Sequence, residues 1–138
     1  MFTAHATGPI GGSTTGALDP LSLLTDSIAN DRSTTATLTV DGAHVFSTLN
    51  SLGDFDFFKV ELVAGKTYEF GMYAAVGGPS GVPLADAFVE LYDASGKLMG
   101  VSDGGASTTL NTLNSGFDAV LSFTATASGT YFVNARAF

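Results

Sequence analysis

Apolar and polar residues alternate along three segments of the chain, and a short turn containing glycine divides each segment. The segments are residues 57–70, 87–99 and 120–133. Alternation with a period of two places apolar side chains on one face of a β-strand. Glycine at the turn lets the chain reverse direction with a positive φ. The pattern therefore predicts three consecutive β-hairpins.

A further pair of alternating runs precedes these segments. Residues 35–40 and 44–49 flank the dipeptide Asp41-Gly42, which is typical of a two-residue hairpin turn. We therefore predict a hairpin there as well, and helical periodicity is almost absent from the chain. The sequence predicts an all-β fold, an antiparallel β-sandwich of about eight short strands in two packed sheets.

The N-terminal part of the chain lacks this alternation. Residues 1–33 are rich in Gly, Ser and Thr over much of their length, so we expect an irregular leader ahead of a β-sandwich domain over residues 34–138. Within the leader, Asp19 and Pro20 are suited to begin one helical turn. A loop that packs its leucines on the edge of the core explains the same residues equally well.

Composition narrows the classes of partner and site. The chain carries 13 acidic and 5 basic residues, a net charge of −8 at pH 7, which disfavours a nucleic-acid partner. Its hydrophobic share of 45% excludes global disorder. The chain has no cysteine, which excludes disulfides and cysteine-based zinc sites. We see neither a cleavable signal peptide nor an apolar run long enough to span a membrane.

Aspartates are concentrated where the predicted strands meet the longer loops. If the hairpins lie side by side, their turns share one end of the domain and these aspartates share the other. Calcium takes six to eight oxygen ligands, so carboxylates on neighbouring loops suit it. Our first choice for a calcium site is Asp86, Asp103 and Asp118, followed by Asp54 and Asp56. The alternative is that these carboxylates cap backbone N–H groups in turns.

No catalytic constellation is visible. His5 and His44 are the two histidines, one in the leader and one in a predicted strand. Nucleophile-elbow, phosphate-loop and zinc-protease motifs are all missing from the sequence, so we predict a protein that is not an enzyme. A small hydrolase that uses the aspartates is a remote alternative.

Four aromatic residues fall near predicted loops or in the leader: Phe2, Phe55, Tyr73 and Phe117. Exposed aromatic rings can stack on sugars or pack on a partner protein. Packing at the edge of the core is the alternative, and we favour it.

Three blocks of the sequence resemble bacterial pre-peptidase C-terminal domains, in the same order. Residues 53–70 show the Gly-Asp-x-Asp-aromatic-aromatic start, the Ala-Gly turn and the Thr-Tyr strand, and residues 87–98 and 123–133 are similar to the second and third blocks. The chain departs from the family in having Ala87 where a proline is usual. It also ends without the further strand that commonly follows the third block. Either the chain is truncated there, or residues 1–30 or a partner chain complete the sandwich.

The resemblance implies a jelly-roll-like β-sandwich that serves as a non-catalytic accessory domain of an exported bacterial protein, above all a protease. Such a domain assists secretion, maturation, or binding to a substrate or surface, and calcium stabilises some members. The implied partners are the catalytic domain of a parent or partner protease, an extracellular polymer, and a chain that completes the sheet. The implied location is extracellular or at the cell surface, reached without a visible cleavable signal peptide.

The alternative function is a free-standing adhesion module that binds a polysaccharide or a matrix protein. Residues 75–85 and 103–117 form long polar connections between predicted strands. Loops of this kind on a compact β scaffold often carry binding residues.

Overall fold

The computed structural model describes residues 2–7, 28–43, 45–47, 49, 53–74, 87–103 and 119–137. All regular secondary structure in these residues is β-strand. Over the same ranges, no helix exists that would be long and apolar enough to cross a membrane. The predicted all-β class is therefore confirmed.

The strands form two antiparallel sheets. They are β1 (Phe2–Thr7), β2 (Val45–Ser47), β3 (Phe55–Leu62), β4 (Thr67–Ala74), β5 (Ala87–Asp93), β6 (Leu98–Asp103), β7 (Ala119–Thr124) and β8 (Gly129–Ala137). The first sheet has the order β2-β1-β4-β7, and the second has the order β3-β8-β5-β6.

The hydrophobic core takes side chains from both sheets. Phe58 and Val60 of β3 and Val133 of β8 contribute to it from the second sheet, and Phe70 and Met72 of β4 contribute from the first. All five are buried. Full burial of one such side chain contributes roughly 1.5 to 3 kcal/mol to stability. The alternation seen in the sequence thus identifies the strand faces that form the core.

Two of the three predicted hairpins are wrong. β3 pairs with β8 and β4 pairs with β7, so residues 57–70 and 120–133 each cross from one sheet to the other. Residues 87–99 do belong to a hairpin, which β5 and β6 form. A short glycine turn allows either connection, and each strand buries one apolar face in both cases. The alternation therefore does not distinguish a hairpin from a connection between sheets.

The hairpin predicted around Asp41-Gly42 is also wrong, although a turn forms there. Asp41 has a φ of 56°, and Gly42 N donates to Thr39 O at 2.9 Å. However, β2 pairs with β1, and Thr37 makes an isolated parallel bridge to Lys59 of β3. The two alternating runs therefore add to different sheets.

Residues 2–7, which the sequence places in the irregular leader, form β1 between β2 and β4. Ala6 is buried in the core. The strand is hard to anticipate because two of its six residues, Ala4 and Ala6, are alanines, a residue type depleted in strands. The helical turn expected at Asp19 and Pro20 lies outside the described residues.

The turns after β3, β5 and β7 lie at one end of the molecule, as the sequence predicts. Leu62 at the end of β3 is opposite Gly129 at the start of β8, and Asp93 at the end of β5 is opposite Tyr131. The start of β3 and the end of β6, with Asp54 and Asp103, therefore lie at the opposite end.

Hydrogen bonds join the two connections between sheets at the turn end. Gly65 N donates to Ala125 O at 2.7 Å, and Ala125 N donates to Lys66 O at 2.9 Å. Ser128 Oγ accepts from Ala64 N at 2.9 Å. These contacts hold the β3–β4 and β7–β8 turns together, and they fix the relative position of the two sheets at this end.

The last strand is paired on both sides, with β3 and with β5. The outer side of β3 is covered in turn: Leu38 N donates to Lys59 O, and Lys59 N donates to Ala36 O, both at 2.8 Å. Within the described residues, this side of β3 is therefore protected against pairing with another chain.

The alternation along β3 predicts unequal losses of stability for substitutions at two adjacent phenylalanines. Phe58 is fully buried in the core, so Phe58→Ala should lower the free energy of unfolding by about 3 to 5 kcal/mol. Phe57 points to the other face and is partly exposed, so Phe57→Ala should cost only about 1 kcal/mol. Urea denaturation of both variants measures the difference. Equal losses would show that the register of β3 is wrong.

Candidate functional site

An open pocket with a volume of 430 Å³ lies on the outward face of the second sheet. Three adjacent strands and the segment before β2 line it. The lining residues in the described part of the chain are Asn30, Phe55, Phe57, Glu90, Tyr92, Asn134 and Arg136.

Strand register explains why these residues meet. Phe57 of β3 is opposite Asn134 of β8, which is opposite Glu90 of β5. Phe55 is opposite Arg136, and this pair lies two residues along the strands from the pair of Phe57 and Asn134. Since alternate residues of a strand face opposite sides, these positions point outward where their neighbours point into the core.

Glu90 is the centre of a polar network in the pocket. Its Oε2 accepts a hydrogen bond from Tyr92 OH at 2.8 Å and another from Asn134 Nδ2 at 2.8 Å. Its Oε1 lies 3.7 Å from Arg136 Nη2. A partly buried carboxylate is costly unless charges and donors compensate it. Tyr92, Asn134 and Arg136 supply that compensation to Glu90 beside the aromatic rings.

Asn134 is 2% exposed and lies beneath the pocket. The bond from Nδ2 to Glu90 fixes the orientation of its amide, because only the nitrogen can donate to the carboxylate. Its Oδ1 has no hydrogen-bond partner within the described residues. Asn134 therefore acts as a fixed support for the Glu90 carboxylate.

Aromatic rings form the rest of the pocket. The Phe57 and Tyr92 rings have centroids 5.9 Å apart and are inclined by 32°. The Arg136 guanidinium carbon lies 3.8 Å from the centroid of the Phe88 ring, which is a favourable cation–π distance. The stacking and the contact with Glu90 together restrict the conformations of Arg136.

The environment of Tyr92 changes its acidity. Burial raises the pKa of Tyr92 to about 12, and the hydrogen bond to Glu90 and its negative charge act in the same direction. Arg136 acts in the opposite direction, more weakly. Tyr92 therefore keeps its proton at neutral pH and donates a hydrogen bond to Glu90.

Asn30 fixes the wall of the pocket on the side of β3. With its amide nitrogen facing the two acceptors, Asn30 donates to Phe55 O at 2.8 Å and to Asp54 Oδ1 at 3.1 Å. Phe57 N also donates to Ala29 O at 3.1 Å. The segment around residue 30 is thus held to the start of β3, and Asp54 helps to hold it.

The aspartates proposed for calcium do not all meet. Asp103 lies at the end of β6 in the row of Phe88, and Asp54 precedes β3. Their strands are separated by β8 and β5, which is about 14 Å at the usual spacing of strands. Calcium–oxygen distances are near 2.5 Å, so Asp54 and Asp103 do not share one ion.

The other candidate ligands have different surroundings. Asp56 is fully buried and Asp54 is 6% exposed. Asp86 and Asp118 lie outside the described residues. Within the described ranges, no group of three acidic, histidine or cysteine residues is arranged to hold a metal ion. The first-choice set of Asp86, Asp103 and Asp118 therefore stays a prediction.

The alternative role, capping of turns, is observed for an aspartate outside the candidate set. Asp93 Oδ1 accepts from Ser95 N at 2.9 Å and from Lys97 N at 3.0 Å. Hydrogen bonds from the Ser95 side chain, and then from the backbone of Lys97, lower the pKa of Asp93. Asp93 thus stabilises the β5–β6 turn by capping its backbone N–H groups.

One of the four aromatic residues identified from the sequence, Phe55, lines the pocket. Phe2 and Tyr73 lie in β1 and β4, and Phe117 and His44 lie outside the described residues. Sequence reasoning missed the other lining residues. A signal existed for them, because Phe57 and Tyr92 are aromatic at strand positions that the alternation assigns to the outer face.

Comparisons with protein-family models, curated proteins and solved structures find no match to this chain. The chemistry of the pocket is therefore the basis for the function proposed below.

Tyr92 should ionise near pH 12 rather than near pH 10. Because its pKa is higher in the folded than in the unfolded state, the associated stability is complete below pH 10 and is lost as the pH rises towards 12. The difference in phenolate absorbance between wild type and Tyr92→Phe, followed as the pH is raised, measures the titration of Tyr92. The variant should also lose less stability over this interval. A titration of Tyr92 near pH 10 would contradict both its burial and its contact with Glu90.

Proposed function

We propose that this protein is a non-catalytic binding domain with a jelly-roll-like β-sandwich fold, and that the pocket on the second sheet is its binding site. The observation that carries the proposal is the pocket itself, where partly exposed aromatic rings surround a charge-compensated polar network. Ligand sites in proteins commonly combine apolar walls with a few fixed polar groups.

The state of the polar groups favours binding over catalysis. Glu90 is held by two hydrogen bonds and lies next to Arg136, so the position of its carboxylate is fixed. Tyr92 has a pKa of about 12, far from the value that suits a general base at neutral pH. Fixed groups of this kind position a ligand well.

We further propose the setting that the family resemblance implies. The domain is an accessory part of an exported bacterial protein, above all a protease, and acts outside the cell or at its surface. Its partners are the catalytic domain and an extracellular polymer. Two connections that cross between the sheets support the jelly-roll-like fold, since folds of this kind alternate strands between sheets.

Binding to an extracellular polymer is the direct test. The full chain should co-sediment with at least one insoluble polymer among fibrillar collagen, chitin and cellulose. Phe57→Ala should reduce the bound fraction, because it removes one wall of the pocket. Val63→Ala is the matched control, since Val63 is 55% exposed at the turn end, away from the pocket. Absence of binding to all polymers, or equal binding by Phe57→Ala, would contradict the proposal.

Calcium stabilisation is a separate proposal that rests on the sequence. Asp103 with Asp86 and Asp118 is the set to test, and Asp54→Asn is the control because Asp54 lies too far from Asp103 to share its ion. We expect calcium to raise the melting temperature of wild type and of Asp54→Asn, each compared with the same protein in the presence of a calcium chelator. Asp103→Asn should respond less. No heat in a calorimetric calcium titration would overturn the proposal.

A further inference from the structure

We propose that the pocket binds a neutral saccharide ring, with the ring stacked on Phe57 and Tyr92 and one hydroxyl bridging Glu90 and Arg136. This inference rests on the proposed binding function and names its class of ligand.

The charges in the pocket favour a neutral ligand. Glu90 and Arg136 face each other at 3.7 Å, so their charges largely compensate. An anion would meet the Glu90 carboxylate and a chain of net charge −8, whereas a cation would meet the guanidinium of Arg136. A neutral ligand avoids both repulsions.

The spacing of the two charged groups favours a hydroxyl. Glu90 Oε2 already accepts two hydrogen bonds, whereas Oε1 is separated from Arg136 Nη2 by more than a hydrogen-bond distance. One hydroxyl oxygen at about 2.8 Å from both atoms donates to the carboxylate and accepts from the guanidinium. A backbone N–H can only donate, and a backbone C=O can only accept. The N–H and C=O of one trans peptide group point in opposite directions, so a single peptide group contacts only one of the two atoms.

The aromatic walls favour a ring with C–H groups on its face. The Phe57 and Tyr92 rings are neighbours, with centroids 5.9 Å apart and planes inclined by 32°, and Phe55 adds a third ring to the lining. The face of an aromatic ring is electron-rich, so it attracts the weakly positive C–H groups of a pyranose. The hydroxyls at the rim of the same sugar ring remain available to the polar groups.

The volume and position of the pocket agree with such a ligand. Ligand pockets range from about 300 to 1,000 Å³, and this pocket has 430 Å³. It is open on the face of a sheet, so a saccharide chain can extend from it in solvent. A sugar unit within a polymer is therefore as acceptable as a free one.

The experiment is a chemical-shift titration of the full chain with soluble hexasaccharides. The neutral panel contains cello-, malto-, xylo-, manno- and N-acetylchito-hexaose. The glucosamine hexamer is the charged comparison, because it differs from N-acetylchitohexaose by loss of the acetyl groups. We expect at least one neutral hexamer to bind. The cationic hexamer should bind at least about tenfold more weakly than its acetylated counterpart if that counterpart is the ligand.

Three variants locate the site. Phe57→Ala and Glu90→Gln should each weaken saccharide binding by about tenfold, the first by removing a stacking surface and the second by removing the charged hydroxyl acceptor. Val63→Ala should bind as wild type does. Thermal melting by circular dichroism verifies that each variant is folded.

The outcomes separate this inference from the proposed function. If collagen binding depends on Phe57 but no neutral hexasaccharide binds, the saccharide inference is overturned and the binding function stands. Saccharide binding that is unchanged in folded Phe57→Ala and Glu90→Gln also overturns it, because the sugar then binds elsewhere. If no polymer and no saccharide binds, both proposals fail.

Discussion

The position of β8 between β3 and β5 is the constraint on which the core and the pocket both depend. Val133 and Ala135 of β8 are buried in the core, while Asn134 and Arg136 between and after them line the outer pocket. A shift of β8 by one residue would exchange these two sets, placing an arginine in the core and opening the pocket. The pairing of β8 with both neighbours holds it against such a shift. Core stability and the geometry of the pocket are therefore consequences of one strand register.

The same register makes it possible to hold a carboxylate among aromatic rings. Glu90 would be costly to desolvate alone, but Asn134 is directly opposite it on β8 and Arg136 is two residues along the same strand. Tyr92 lies two residues away on β5 itself and donates from the other side. The donors therefore come from backbone positions that the sheet already fixes, and little side-chain entropy remains to be lost when a ligand binds.

The sequence predicts local features well and pairings poorly. The all-β class, the inward faces of β3 and β5 and the common end of the turns follow from alternation and glycine positions, which neighbouring residues determine. The strand partners do not follow, because Leu62 and Gly129 are far apart in the chain and no short pattern records that they meet. A hairpin is the simplest connection across a short turn. Here, however, residues 57–70 and residues 120–133 each contribute one strand to each of the two sheets. Only long-range packing of residues such as Phe58 and Phe70 decides between these connections.

The difference between the expected site and the observed pocket has the same origin. Aspartates next to strand ends are visible in the sequence one at a time, and three of them, Asp54, Asp56 and Asp103, do lie at the expected end. The pocket instead joins residue 30 to β3, β5 and β8, so no single segment contains more than two of its lining residues. What the sequence does contain is an excess of aromatic residues on the outer face, at Phe57, Phe88, Tyr92 and Phe132. An outer strand face needs no such rings for folding, since water can solvate polar residues there. Rings that remain partly exposed, as Phe57 and Tyr92 do, therefore indicate a surface that serves a partner rather than the core.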